Sequence, residues 1–200
     1  MLKRIISSQF KKPAGLMGVF VSNLMIRGNR HNYDVLLKDL NVQAGDKILE
    51  IGYGPGIGIT LLAEKGKPGI VHGIDFSKLM YKRATERNKK NIDDKKVKLF
   101  AGDFLKDNID GADYDKIFCV NVIYFWADLQ KPFFKIRSLL KNDGAFFCYM
   151  AHKDFLAKKN PANDIFNKYS IEQITAALKS AGFSKVDFYF DKGYYIKAEK

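Results

Sequence analysis

The sequence predicts an α/β domain whose mostly parallel sheet carries helices on both faces and ends in an antiparallel hairpin. Two observations support this fold class. Apolar runs typical of buried strands alternate with helical stretches along residues 47–151, an order that favours a parallel sheet. Near the C-terminus, two β-rich runs at residues 186–190 and 194–198 flank the turn residues Asp191-Lys192-Gly193, so a hairpin is expected there.

Residues 1–42 are expected to form a helical cover ahead of the first strand. Apolar residues between 16 and 26 predict one helix that Gly28 and the two residues after it would end, and residues 32–40 predict a second. The segment 1–40 holds seven Lys and Arg residues against two Asp residues. It could therefore lie on an anionic membrane, but packing on the neighbouring domain is the favoured interpretation.

A glycine-rich turn organises the rest of the chain. Residues 48–51 predict a buried strand, glycines follow at positions 52, 54, 56 and 58, and apolar residues at helical spacing come next. Glycine allows a sharp turn and a close approach to a ligand, and the first N–H groups of a helix attract electronegative groups. The G-x-G-x-x-G spacing of dinucleotide sites is absent, because Ile57 and Ile59 stand where its third glycine would fall.

The remaining elements continue the alternation to the end of the chain. Further strands are predicted at residues 70–76, 97–101, 114–122 and 144–151. Further helices are predicted after the N-cap candidate Ser77 to about residue 91, at residues 131–140, and from Ser170 to Gly182. Since no linker or repeat interrupts this order, residues 1–200 are expected to form one domain with residues 43–200 as its core.

Polar side chains stand at the carboxyl ends of the predicted strands, where open α/β sheets bind ligands. Glu50 and the glycine turn end the first strand, Asp75 ends the second, and Asp103 follows the third. Asn121 and Tyr124 follow the fourth. Each has an ordinary alternative, a helix cap for Asp75, a turn residue for Asp103 and Asn121, and a core aromatic for Tyr124. Their coincidence at one edge of the sheet favours a ligand site.

The E-x-G-x-G-x-G stretch at residues 50–56 resembles the first motif of the class I S-adenosylmethionine-dependent methyltransferases. The order of elements over residues 43–200 resembles their Rossmann-like fold, in which seven strands end with the last one inserted antiparallel beside the fifth. The resemblance implies a methyltransferase whose cofactor is S-adenosyl-L-methionine. The cofactor-binding residues that it and the strand ends indicate are Glu50, Gly52, Tyr53, Gly54, Gly56, Asp75, Phe76, Met80, Asp103, Phe104 and Asn121.

The chemistry of these residues suits an adenosine. A carboxylate at Asp75 can accept from both ribose hydroxyls, and Phe76 and Met80 can cover the adenine ring. Asp103 can accept from the exocyclic amine of adenine, while Phe104 offers a backbone N–H group.

The fourth motif bears on the acceptor. Methyltransferases that act on base amines often carry N/D-P-P-Y/F there, whereas residues 121–124 lack both prolines, so the chain looks like the small-molecule, methyltransferase type 11-like branch. Residues 28–31 are expected near the methionine end of the cofactor, with Leu24, Met25 and Tyr33 facing an apolar acceptor and residues 152–169 completing its cover. If the acceptor must lose a proton, the candidate general bases are Tyr124, His31, Tyr33 and His152.

Bulk composition leaves several partners open. A hydrophobic content of 46% and a charged content of 28% are ordinary for a globular protein, but the net charge of +12 is not. It could reflect a solvated basic surface, RNA or an anionic lipid, so an RNA-directed or lipid-directed methyltransferase and a non-catalytic cofactor-binding protein remain alternatives. Cys119 and Cys148 are expected as core thiols, no metal-ligand spacing is present, a cytoplasmic location is expected, and oligomeric state is left open.

Overall fold

The structure is a computed structural model that describes residues 15–66, 68–109, 111–152, 154 and 166–200. Its strands are β1 Lys47–Ile51, β2 Ile70–Asp75, β3 Val97–Ala101, β4 Tyr114–Val120, β5 Leu140–Ala151, β6 Lys185–Phe190 and β7 Gly193–Glu199. Its α-helices are α1 Gly15–Asp39, α2 Ile57–Leu61, α3 Lys78–Arg87, α4 Lys89–Asp93, α5 Gln130–Leu139 and α6 Ile171–Ser180. A π-helical turn spans Leu62–Gly66, and a 3-10 turn spans Ile123–Phe125.

One seven-stranded sheet joins these strands in the order β3-β2-β1-β4-β5-β7-β6. Strands β1 to β5 pair in parallel, whereas β7 is antiparallel to both β5 and β6. The prediction of a mostly parallel sheet with an antiparallel C-terminal hairpin, whose last strand lies beside the fifth, is therefore confirmed. Because Ile51 is in register with Ile74 on one side and with Cys119 on the other, the carboxyl ends of the central strands meet at one edge.

Burial on both faces explains why the central strands are apolar runs rather than alternating ones. In β1 the residues Ile48, Leu49 and Ile51 are at most 2% exposed, and in β4 Phe118 and Cys119 are fully buried. Helices cover these strands, so every side chain of β1 after Lys47 needs an apolar or paired environment. Glu50 differs from its neighbours in β1 because its side chain is a carboxyl group, although it is equally buried.

The N-terminal segment corrects one prediction, because a single 25-residue helix, α1, runs through Gly28. A glycine inside a helix costs only about 1 kcal/mol relative to alanine. That cost is offset after Gly28 by the burial of Tyr33 and Leu36 against the sheet. The predicted end near Asn41 is confirmed, and Asn41 itself has a positive φ of 44°.

Three other boundaries differ from the prediction for local reasons. Strand β4 stops at Val120 rather than residue 122, because Asn121 adopts a φ of 60° and leads into the 3-10 turn. The helix predicted after Ser77 divides at Asn88, whose side-chain amide donates to the carbonyl oxygens of Ala84 and Gly56. Strand β5 begins at Leu140, where it already pairs with Tyr114.

Both predicted N-caps are present. The side-chain oxygen of Ser77 accepts from the backbone N–H of Met80, and Ser170 forms a reciprocal capping box with Gln173. These caps fix where α3 and α6 leave the sheet edge. No helix in the described part of the chain is both long and apolar enough to cross a bilayer.

Candidate active site

The turn after β1 brings bare backbone to the sheet edge. Gly52, Gly54 and Gly56 have φ values of 71°, 53° and 81°, a region that side chains rarely allow. Space is restricted as well, since a Cβ at Gly52 would lie 2.6 Å from Cγ2 of Val122 and one at Gly56 2.8 Å from Cβ of Ala84. Larger residues at these positions would therefore force the turn away from its neighbours.

Asp75 holds the glycine turn against the end of β2. Its Oδ2 accepts from the backbone N–H of Gly54 at 2.9 Å, and its Oδ1 accepts from that of Ser77 at 2.8 Å. Burial raises the pKa of Asp75 to about 6, an effect that the two backbone N–H groups partly oppose. At pH 7 the carboxyl is therefore mostly ionised, and each oxygen still has a lone pair to offer a ligand.

Beneath the turn, Glu50 and Tyr33 form a buried pair. The Tyr33 hydroxyl donates to Oε1 of Glu50 at 2.7 Å, and both side chains are buried. Burial raises the pKa of Glu50 to about 8, with the charge of Asp75 acting in the same direction and the Tyr33 hydroxyl opposing it. A Cβ at Gly58 would lie 2.5 Å from Cε1 of Tyr33 and 2.6 Å from Oε2 of Glu50, so this glycine lets α2 pack onto the pair.

A cavity of about 1070 Å³ opens at this edge of the sheet. It falls into two halves, one along the ends of β1, β2 and β3 and one along the ends of β4 and β5, with α1 across them. The first half contains most of the residues that the sequence assigns to the cofactor. They are Gly52, Gly54, Asp75, Phe76, Met80, Asp103 and Phe104, and Gly102 and Leu105 line this half as well.

The second half, which we call the aromatic half, is bounded by side chains that lie in β5 or follow β4 and β5. They are Tyr124, Phe125, Trp126, Tyr149 and Phe166. The Tyr124 ring lies 4.7 Å from the ring of Phe125 and 5.0 Å from that of Phe166, centroid to centroid, in edge-to-face arrangements. Burial raises the pKa of the Tyr124 hydroxyl above its ordinary value, so it keeps its proton at neutral pH.

Helix α1 crosses the cavity and is hydrogen-bonded to the residue that follows β4. Arg27, Gly28, Asn29, His31 and Asn32 line the cavity. Asn121 links α1 to β5, since its Nδ2 donates to Oδ1 of Asn29 at 2.9 Å and its Oδ1 accepts from the backbone N–H of Ala151 at 3.0 Å. Asn121 is thus both the turn residue of the alternative interpretation and a lining residue of the cavity.

Other predicted site residues lie elsewhere. Glu50 and Gly56 support the turn without lining the cavity, and the Tyr53 hydroxyl donates to the carbonyl oxygen of Phe100. Tyr33 is occupied by Glu50, so the structure does not place it against an acceptor. His152 also lies outside the cavity lining, and its ring packs 5.5 Å from that of Phe190.

Of the remaining predicted site residues, some line the cavity and others lie outside the described residues. Asp103 lines the cavity and also accepts from the backbone N–H of Leu105 at 2.9 Å, as the turn interpretation expects. The side chains of Leu24 and Met25 lie outside the described residues, as do residues 1–14, 153 and 155–165 of the predicted cover. Sequence reasoning missed Arg27 and Lys192 as lining residues.

Comparisons with known proteins agree with this geometry. A family model described as a methyltransferase domain matches residues 48–144. The chain is 32% identical to the uncharacterized methyltransferase YdaC of Bacillus subtilis, over 77% of this chain and 80% of that protein. It is 28% identical to the carboxy-S-adenosyl-L-methionine synthase of Nautilia profundicola, over 78% of this chain and 76% of that protein.

A solved structure with a similar fold is phosphoethanolamine N-methyltransferase 2 of Haemonchus contortus in complex with S-adenosyl-L-methionine. The TM-score is 0.72 at 19% identity, and the match covers 85% of this chain. Because the match covers 52% of that enzyme, the chain spans about half its length.

Proposed function

This chain belongs to the class I S-adenosylmethionine-dependent methyltransferases, and from that premise we propose that it methylates a small molecule held in the cavity beneath α1. The observation that carries the proposal is the shape of the cavity. One continuous space joins the glycine turn and Asp75 to the aromatic half. A cofactor at the first end and an acceptor at the second would share a single enclosure.

The residues at the first end fit S-adenosyl-L-methionine, the cofactor of the family. Gly52 and Gly54 offer backbone without side chains, and Asp75 offers an ionised carboxylate. Phe76, which is 41% exposed at the cavity, and buried Met80 offer apolar faces for a flat ring. When bound, the cofactor supplies a methyl group on a sulfonium that is already electrophilic, so the protein mainly has to position the acceptor.

The aromatic half can position an acceptor and remove water from around it. Its rings form an apolar wall and residues of α1 line the same cavity, so a bound molecule would lose part of its hydration and its rotational freedom together. Tyr124 retains its hydroxyl proton and can donate a hydrogen bond that orients the acceptor. Among the four candidate bases, Tyr124 and His31 line the cavity. Because burial keeps the proton on the Tyr124 hydroxyl, His31 is the candidate base at this site.

The size of the cavity favours a small acceptor over a polymer. Small-ligand pockets usually measure about 300–1,000 Å³, so a cavity of about 1070 Å³ has room for a cofactor and one modest molecule. Helix α1 also lies across this cavity and contributes five residues to its lining. These points support the small-molecule interpretation over the RNA-directed and lipid-directed alternatives that the charge of +12 suggests.

The test is methyl transfer from S-adenosyl-L-methionine labelled in its methyl group. The purified chain is incubated with a panel of small phenols, amines, thiols and carboxylic acids, and in parallel with total RNA and anionic vesicles. We expect label in at least one small molecule and none in RNA or lipid. Label in RNA or lipid alone would overturn the acceptor class, and binding of S-adenosylhomocysteine without transfer to any of them would favour the non-catalytic alternative.

We place the enzyme in the cytoplasm on the evidence of its cysteines. Cys119 and Cys148 are direct neighbours across β4 and β5, yet both are buried free thiols. Free neighbouring thiols suit a reducing compartment.

A further inference from the structure

We propose that the acceptor carries an anionic group, a carboxylate or a phosphate, which is recognised by Arg27 and Lys192 at the cavity. The inference rests on the proposed function, because it concerns the acceptor of the same site. It starts from the distribution of charge along the cavity wall. The lining contains two carboxylates, Asp75 and Asp103, and two ordinary cations, Arg27 and Lys192.

The two carboxylates and Lys192 lie at opposite ends of the cavity. Asp75 ends β2 and Asp103 follows β3, so both carboxylates belong to the half assigned to the adenosine. Lys192 lies in the turn between β6 and β7, and β7 pairs with β5, so it belongs to the aromatic half. No described residue of the aromatic half contributes a carboxylate to the lining.

A contact between α1 and the hairpin sets the turn that carries Lys192 against the part of α1 that carries Arg27. Nε2 of His31 lies 3.1 Å from Oδ2 of Asp191, the residue before Lys192. Arg27 precedes His31 by four residues, so the two lie on the same face of α1. A second contact, from the Tyr189 hydroxyl to Oδ2 of Asp39 at 2.6 Å, fixes the hairpin against the helix.

Both cations are available to a ligand. In the part of the chain that the structure describes, no carboxylate forms an ion pair with Arg27 or Lys192. Neighbouring polar groups have other contacts, since Arg30 pairs with Asp34 at 3.4 Å and Nε2 of His31 lies 3.1 Å from Oδ2 of Asp191. A guanidinium and an ammonium without partners beside an apolar wall suit a molecule with a flat apolar body and one anionic end.

Arg27 and Lys192 disfavour a cationic acceptor. An ammonium group entering the aromatic half would meet Arg27 and Lys192, and none of the described residues lining that half offers it a carboxylate. Burying an unpaired charge beside like charges is costly. The proposal therefore separates aromatic acids and aryl phosphates from simple amines as acceptors.

The experiment measures binding to the full chain saturated with S-adenosylhomocysteine. Isothermal titration compares the affinity of 4-hydroxybenzoate with that of its uncharged carboxamide. It also compares phenyl phosphate with phenol, so the two pairs show whether the site prefers a carboxylate or a phosphate. We expect at least one anion to bind about tenfold or more tightly than its neutral partner. The double substitution Arg27→Ala with Lys192→Ala should reduce that preference to about twofold, while S-adenosylhomocysteine affinity stays within about twofold.

A matched control removes the same amount of charge away from the cavity. Arg30 lies on the same helix and Lys185 on the same hairpin, both paired with carboxylates and neither lining the cavity. Arg30→Ala with Lys185→Ala should leave the anion preference unchanged. Equal loss in both double variants would mean that net charge alone attracts the anion, and this would overturn the assignment.

The remaining outcomes also decide the inference. Equal binding of acids and neutral partners, or no binding of any anion at millimolar concentration, would refute it while leaving methyl transfer to a neutral acceptor intact. If anions bind through Arg27 and Lys192 but are never methylated, the anion site is confirmed. That result would count against the proposed methylation of anionic small molecules.

Discussion

Replacing Glu50 by glutamine should make the stability of the folded protein less dependent on pH. Burial raises the pKa of Glu50 from 4.5 to about 8. Between these values the unfolded chain has lost the Glu50 proton while the folded chain still holds it. The contribution of Glu50 to stability is therefore fully present below about pH 4.5 and is lost as pH rises to about 8.

The magnitude follows from proton linkage. A difference of one bound proton changes the free energy of unfolding by about 1.4 kcal/mol per pH unit. Across the interval from 4.5 to about 8, Glu50 would account for roughly 3–5 kcal/mol. Glutamine keeps the shape and can still accept from the Tyr33 hydroxyl, but it has no proton to lose.

The assay is urea unfolding of the cofactor-free protein at half-unit steps from pH 5 to pH 9, followed by circular dichroism. As pH rises, the parent chain should lose stability relative to the Glu50→Gln variant. We expect this difference in unfolding free energy to grow until about pH 8, the pKa of Glu50, and then to stay constant. Glu86→Gln is the control, because Glu86 is an exposed carboxylate 4.0 Å from Lys82. Parallel pH curves for the Glu50 variant and the parent would show that Glu50 is ionised in the folded protein, and would refute the reasoning.

Three further predictions concern the cavity. Asp75→Ala should weaken S-adenosylhomocysteine binding by roughly 1.5–3 kcal/mol per hydrogen bond lost, measured by calorimetry, with circular dichroism confirming the fold; unchanged affinity would leave Asp75 as a support of the glycine turn alone. Tyr124→Phe should lower the rate of methyl transfer by about tenfold with unchanged cofactor affinity, and an unaltered rate would remove the hydroxyl from the acceptor site. Residues 27–32 should gain protection from hydrogen exchange when S-adenosylhomocysteine is added without lipid, whereas protection that needs anionic vesicles would favour a lipid-directed enzyme.

Much of the fold could be predicted because the signals are local. Buried parallel strands read as continuous apolar runs, and Ser77 and Ser170 cap their helices through residues three positions away. The strand-end acids could be placed at one edge because topology alone brings them there. The position of Asp75, Asp103 and Asn121 directly after a predicted strand identifies each of them as a residue of this edge.

What could not be predicted depends on contacts between distant segments. Whether Gly28 ends α1 is decided by burial of Tyr33 and Leu36 beyond it, which local helix propensity does not contain. The Tyr33–Glu50 pair joins residues 17 positions apart in sequence, and the His31–Asp191 pair joins residues 160 apart. The position of Lys192 relative to α1 depends on the second of these pairs, so the charge pattern of the cavity emerges only from the folded chain.

A structure of this chain with S-adenosylhomocysteine tests the central claim most directly. The account predicts the adenosine between Asp75, Phe76 and Asp103, with the sulfur directed toward Tyr124 beneath α1. Adenosine bound at any other edge of the sheet, or a sulfur directed away from the aromatic half, would contradict it.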